Sequence, residues 1–347
     1  MNRRFLLAGL AGAPLLSSTA LARSGPAPGW RRFELRTEVT VETGDDPATL
    51  WLPLAQDAGN HQRALVPVVD TGGRAETVRD PRYGAAMLRV TWPSPRQQTV
   101  AVTQVVDTRP RAVEAETLSA AEHAFWTAPT PSIPTGGIVA DTAQGITAGL
   151  GSDAARLRAL YDWVVDNTFR DGAARGCGTG DIRHMLETGW LGGKCADINA
   201  LMTGLARACG IPARDVYGIR VAPSAHSRSL GTAGPDITRA QHCRTEAFVA
   251  GTGWLPLDPA DLRKVVLEEN APLDSDHVRQ QRERLFGQWE MNWVGYNSAT
   301  NVALPGAPRA MEPNFLMYPC AMTANGEQDC LDPASFRYAI RSREITA

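Results

Sequence analysis

The sequence predicts an α+β protein: a β-sandwich comes first, and a mixed half follows in which helices precede strands. Three observations carry this. Phe33, Leu35, Val39 and Val41 alternate with Glu34, Arg36, Glu38 and Thr40, the period of a half-buried strand. Further short runs of the same kind (50–53, 86–90 and 99–106) lie between turns rich in Gly, Pro and Asp, which is the spacing of a sandwich. From residue 152 onward, apolar steps of three and four replace the alternation. They come ahead of further strand-like runs and without a βαβ repeat.

The elements follow in order. Arg3-Arg4 precedes an apolar stretch reaching Leu16, and Ala20-Leu21-Ala22 supplies a small-residue cleavage site. The arginine pair is similar to a twin-arginine export signal. Residues 1–22 are therefore expected to be a signal peptide, and the mature chain to be periplasmic or secreted. No later apolar run reaches the ~18 residues of a membrane span. Residues 23–114 form the expected sandwich. Pro129, Pro131, Pro134 and Gly136-Gly137 mark residues 115–150 as an irregular linker. The mixed core covers 151–308, with a helix starting at the N-cap candidates Ser152 and Asp153 and burying Leu157, Leu160, Tyr161, Val164 and Val165. Residues 309–347 are expected to complete or extend that core with strands.

The chain has 347 residues, is 43% hydrophobic and 21% charged, and carries a formal net charge of −2. That is ordinary globular composition. No basic run follows the first residues, so nucleic acid is not an expected partner. Lysine occurs only at Lys194 and Lys264, a scarcity to which the sequence alone gives no function. The six cysteines are Cys177, Cys195, Cys209, Cys243, Cys320 and Cys330. In an oxidising compartment some are expected to pair. Cys320 and Cys330 flank the turn signal Asn325-Gly326, a spacing compatible with a cross-strand disulfide.

Cys195 stands out. Gly192-Gly193-Lys194 leads into a helical pattern in which Ile198, Leu201, Met202, Leu205 and Ala208 mark one apolar face, and Gly210-Ile211-Pro212 closes it. A thiol at a helix N-terminus meets unpaired N–H groups and the positive end of the dipole. Such sites, with a cationic partner, lower a thiol pKa from ~8.5 to about 3.5–7.5. Downstream, 241–249 reads as a strand opened by His242. After the turn Gly251-Thr252-Gly253, a second strand closes at Asp258. In such a hairpin the start of one strand lies beside the end of the other. A carboxylate can then meet an imidazole, fix its tautomer and stabilise its protonated form.

These segments resemble the core of the transglutaminase-like superfamily. The resemblance rests on Gly193-Lys194-Cys195, on His242, and on Trp254-Leu255-Pro256-Leu257-Asp258-Pro259, with the aspartate sixteen residues after the histidine. The stretch 206–214 also resembles the sequence after the family's nucleophilic helix, and the likeness covers roughly residues 152–261. It implies a papain-like core behind an N-terminal β-sandwich, with Cys195 as nucleophile, His242 as base and Asp258 as the acid that orients it. The implied chemistry is thiolate attack on an amide or ester carbonyl of a protein or peptide, through an acyl-enzyme and with no cofactor. The backbone N–H of Cys195 is the natural oxyanion donor. The indole of Trp190 is a candidate for the second, with plain packing as its other reading. Many members carry an aromatic residue two positions after the histidine, where this chain has Arg244. That arginine either shapes substrate choice or pairs with Glu246 along one strand face.

Hydrolysis is favoured over protein cross-linking, since no amine-binding signature is present. A non-catalytic module binding peptide or glycan is the rival from another class, and such a module has no need of all three residues. Asp261 is a competing acid expected to cap or pair locally. A metal site built on Cys195, His242 and Cys243 is not expected. No C-x-x-C pair or H-E-x-x-H helix exists, and neighbouring strand residues face opposite ways.

Overall fold

The alternating segment forms the strand Arg31–Val41, flanked on both sides. Arg337–Ile345 pairs with it on one edge and Gln98–Thr108 on the other, both antiparallel. The computed structural model describes residues 26–41, 46–93, 98–308, 311–332 and 336–346. The expected export segment, 1–22, lies outside them. Gln62–Ala64 and Val68–Thr71 extend the first sheet along Gln98–Thr108. A second sheet runs in the order Gly326–Gln328, Cys320–Thr323, Ala48–Pro53, Ala86–Trp92, Arg74–Arg79. Val39, Val41, Leu50, Leu52, Val90, Val100 and Val102 meet in one buried cluster between the sheets, which makes this the expected sandwich.

The strands after residue 309 pair into the sandwich sheets, and the last of them also bonds to the mixed core at residues 235–237. Their register runs from Arg32↔Ile345 to Thr40↔Arg337 in one sheet and from Cys320↔Trp51 to Met322↔Thr49 in the other. Without them, Arg31–Val41 and Ala48–Pro53 would each present an open edge of unpaired N–H and C=O groups. The expected Cys320–Cys330 disulfide is absent, and both thiols are free. The hairpin register explains this. Ala321 faces Gln328 and Met322 faces Glu327, so Cys320 would face Asp329, and Cys330 falls one residue out of register. A one-residue offset turns a side chain to the other face. Cys320 accordingly packs with Trp51 and Met87, while Cys330 packs against the cluster of Val39 and Leu50.

Residues 115–150 are more than a linker. Ala120–Thr127 is a helix with a capping box between Ser119 and Glu122, and Ile138–Thr147 is a helix that buries Val139 and Ala143. The proline-rich stretch between them stays irregular, as do the segment's two ends. The next helix, Asp153–Asn167, is capped by the Ser152 hydroxyl and buries the predicted apolar face. Ile182–Thr188 is capped by Asp181 and ends at Gly189, whose φ of 69° is a left-handed helix stop.

The second half is built around an antiparallel sheet in the order Gly253–Leu257, Gln241–Val249, Ala213–Arg220, Trp293–Asn297. The helix Cys195–Ala208 lies on this sheet and is buried from Cys195 through Arg207. The sequence predicts one apolar face, but the sheet covers one side and the neighbouring helices cover the rest. Its polar residues are therefore internal and bonded. Asn199 donates to the Cys243 carbonyl at 2.8 Å, Thr203 to Asp215 at 2.6 Å, and Arg207 to the Ala213 carbonyl at 2.8 Å. The Gln62 side chain joins the two halves, bonding both the N–H and the carbonyl of Gly295. Among the described residues no helix is long and apolar enough to cross a membrane.

Candidate active site

Cys195 opens its helix and lines a cleft of about 610 Å³. The chain is shaped locally to place it there. The Asp197 carboxylate accepts the N–H groups of Lys194, Thr179 and Gly180, at 2.9, 2.8 and 2.9 Å. This ties the preceding loop to the helix start. Ala196 N–H donates to the Cys177 carbonyl at 2.9 Å, which holds Cys177 beside Cys195. Gly193 is required at this approach, because a Cβ there would sit 2.5 Å from the Asp197 side chain.

His242 lies near the start of Gln241–Val249, with its carbonyl fixed by the Trp293 indole at 2.9 Å. Its Nε2 meets Asp258 Oδ2 at 2.8 Å. The hairpin register, Thr245↔Leu257 and Glu246↔Pro256, carries on to place Asp258 opposite Arg244. Asp258 is thus a diagonal neighbour of His242 on the same face, within side-chain reach. With Nε2 on the carboxylate, Nδ1 is the nitrogen left for the thiol.

The electrostatics favour a charged pair. Hydrogen bonds from the Cys177 and Cys243 thiols hold Cys195 well below the ordinary thiol range; burial opposes them, and His242 adds to them. Burial and Arg220 push the His242 imidazole down, but Asp261 and Asp258 outweigh them and raise it. A lowered thiol and a raised imidazole both favour moving the thiol proton to His242.

Asp261 takes a larger part than capping. Its Oδ1 lies 3.3 Å from His242 Nε2, and it forms a buried ion pair with Arg220. Asp258 is the N-cap of the helix Pro259–Glu268, and its Oδ1 accepts the Asp261 N–H at 3.0 Å. That first turn curls Asp261 back over the imidazole. The signal was present in the sequence as an N-cap aspartate followed by proline at the first helical position. The donor atoms of His242, Asp258 and Asp261 cluster closely enough to hold a metal ion. Their carboxylates already face the guanidinium groups of Arg220 and Arg244, which supply the balancing positive charge.

Two expected residues stand elsewhere. Trp190 is 60% exposed, packs edge to face on Phe169 and does not line the cleft. The left-handed stop at Gly189 turns it outward, so its indole is not an oxyanion donor here. Arg244 is buried behind Asp258, 3.4 Å from Oδ2, with the rings of Trp289 and Trp293 on its guanidinium. It neither reaches the cleft nor pairs with Glu246. Glu246 faces Arg214 across the ladder and also binds Arg111. Burial pushes the Arg244 guanidinium down to about 10, against the pull of the two aspartates. Sequence reading missed Cys177 and Tyr318, whose hydroxyl donates to the Cys177 thiol at 3.1 Å. No local spacing connects either residue to Cys195.

One cleft wall is residues 236–240. The last strand secures it: Ile237 N–H donates to the Ile340 carbonyl and Ser342 N–H to the Pro235 carbonyl, both at 2.9 Å.

Comparisons with known proteins agree with this architecture. A family model described as the transglutaminase-like superfamily matches residues 140–259. A Haemophilus influenzae protein described as uncharacterized is 32% identical over 339 residues, covering 90% of this chain and 91% of its own. A crystal structure from Cytophaga hutchinsonii, described as a "putative cysteine protease", is similar in fold. Its TM-score is 0.56 at 14% identity, over 92% of each chain. The periplasmic domain of TgpA from Pseudomonas aeruginosa aligns with a TM-score of 0.38 at 16% identity, over 81% of this chain and 100% of that one.

Proposed function

Since the chain belongs to the transglutaminase-like superfamily, we propose that it is an exported cysteine enzyme of acyl transfer that hydrolyses an amide bond in a protein or peptide. Cys195 is the nucleophile, His242 the base and then the acid, and Asp258 the acid that orients it. The observation that carries this reading is the arrangement of the three residues: Cys195 and His242 line one cleft, and His242 Nε2 lies 2.8 Å from Asp258.

The steps follow from these contacts. The thiolate attacks the carbonyl carbon, and the electron pair moves to the oxygen. The Cys195 N–H, at the first helical position and without an acceptor in its own helix, donates to that oxyanion. Imidazolium gives its proton to the leaving amine as the C–N bond breaks, which leaves a thioester and neutral His242. The imidazole then takes a proton from water, hydroxide adds to the thioester, and the C–S bond breaks to restore the thiolate. Water is favoured over an amine as acceptor because the cleft walls are rich in arginine and lysine, which repel an ammonium group. Export rests on the arginine pair and cleavage site at 1–22.

Incubating the mature protein with protein substrates, with and without a labelled primary amine, is expected to give cleavage without incorporated label. Cys195→Ala is expected to abolish it. Cleavage that survives this change moves the site elsewhere. A second result is expected from alkylation by iodoacetamide. Cys195 should react faster than the other five thiols, with a rate that persists well below the ordinary thiol pKa of ~8.5. His242→Gln should move that inflection upward, because one of the contacts favouring thiolate is gone. An inflection at the ordinary value in the unmodified protein contradicts a thiolate at neutral pH.

A further inference from the structure

The two lysines of this chain, Lys194 and Lys264, both line the Cys195 cleft. Arg170, Arg175, Arg220 and Arg239 line it as well, against one lining carboxylate, Asp236. Four of these cations are committed to acids: Arg170 and Lys264 to Glu268, Arg175 to Asp329, and Arg220 to Asp261. Lys194 and Arg239 have no ion-pair partner among the described residues. Lys194 precedes the nucleophile directly. Arg239 is exposed on the secured wall, three residues before His242. The two free positive charges therefore flank the reacting groups.

Accordingly, we propose that the cleft selects an anionic acyl donor, a peptide with a carboxylate close to the scissile carbonyl, and that Lys194 and Arg239 are the residues that recognise it. This rests on Cys195 being the nucleophile. A cleft lined by one sign of charge focuses its field inward and raises the local concentration of the opposite sign. The committed cations are largely offset, four against the three acids Glu268, Asp329 and Asp261, so the cleft keeps an excess of positive charge to which the uncommitted Lys194 and Arg239 contribute beside the reacting groups. An acidic substrate would complete the two missing ion pairs, whereas a basic one would add like charge to both.

The test compares the rate constants for alkylation of Cys195 in the full mature protein by iodoacetate and by iodoacetamide at neutral pH, located by peptide mapping. Both reagents attack the same thiolate and differ in charge, so the thiol pKa cancels from their ratio. A free thiolate repels iodoacetate and favours the neutral amide. Here iodoacetate is expected to be the faster reagent by about fivefold at low salt. That preference is expected to vanish in the Lys194→Gln, Arg239→Gln double variant and in about 0.5 M salt, which screens beyond a few ångströms. Arg239 is exposed and Lys194 half-buried, and neither has an ion-pair partner to lose, so the double variant is expected to fold. A ratio at or below one in the unmodified protein overturns the proposal, as does a ratio indifferent to the double substitution. If neither reagent reaches Cys195, the nucleophile reading fails and this one fails with it. Iodoacetamide reactivity without a preference for the anion sinks the selectivity alone.

Discussion

Asp258→Asn is expected to lower kcat/KM for amide cleavage by about 10³-fold, with the fold kept at some cost in stability because the buried Arg244 loses the charge facing it at 3.4 Å. The two roles of Asp258 separate cleanly in this substitution. As N-cap of Pro259–Glu268 it accepts the Asp261 N–H, and asparagine caps a helix as well as aspartate does. As partner of His242 Nε2 it supplies negative charge to an imidazolium, which an amide cannot do. Asp261 lies 3.3 Å from the same nitrogen, but its charge is shared with Arg220, so its compensation is partial. The measurement is kcat/KM on a protein substrate cut by the unmodified enzyme, with a urea melt as control. A loss under tenfold with the fold kept assigns the orienting role to Asp261.

Arg220→Met is expected to destabilise the protein by about 3–5 kcal/mol. The Arg220 and Asp261 side chains are only 5% and 1% exposed. Removing the guanidinium leaves Asp261 buried and uncompensated beside Asp258, whose carboxyl is itself raised by burial and by Asp261. Burial works against the Asp261 carboxylate too, but Arg220 and His242 overcome it and hold its pKa well below the usual range. The sign follows from that. Its contribution is full above the unfolded carboxylate pKa of ~3.9 and is lost as acid approaches the depressed folded value. The urea midpoint of Arg220→Met should therefore fall most at neutral pH and converge on that of the unmodified protein in strong acid. Arg220→Met with Asp261→Leu should recover most of the loss, since an apolar pair leaves no buried charge. A single variant that melts within about 1 kcal/mol of the unmodified protein contradicts a dominant buried pair.

The central part of the site was legible because its geometry is local. Gly193-Lys194-Cys195 places a thiol at a helix start, and the hairpin between His242 and Asp258 is read from two strand runs and one glycine turn. What was not legible depends on distant partners. Arg244 looked like a neighbour of Glu246, but cross-strand register gives Glu246 to Arg214 and leaves Arg244 against Asp258. Cys177 reaches Cys195 through a loop tied down by Asp197, which no spacing rule anticipates. The helix Ile138–Thr147 escaped notice because its alanine, threonine and glycine residues give it only a narrow apolar stripe. The last strands were given to the mixed core because chain order suggests it. Their partners are some 300 residues away, and only backbone register reveals them.

That distant pairing sets an order of events during synthesis. Cys195, His242 and Asp258 are all synthesised before the last strand is made. The wall at 236–240 is secured only when Arg337–Ile345 has zipped onto Arg31–Val41. Contacts of such long sequence separation form late. Until that pairing forms, the wall beside His242 lacks the hydrogen bonds to Ile340 and Ser342 that hold it.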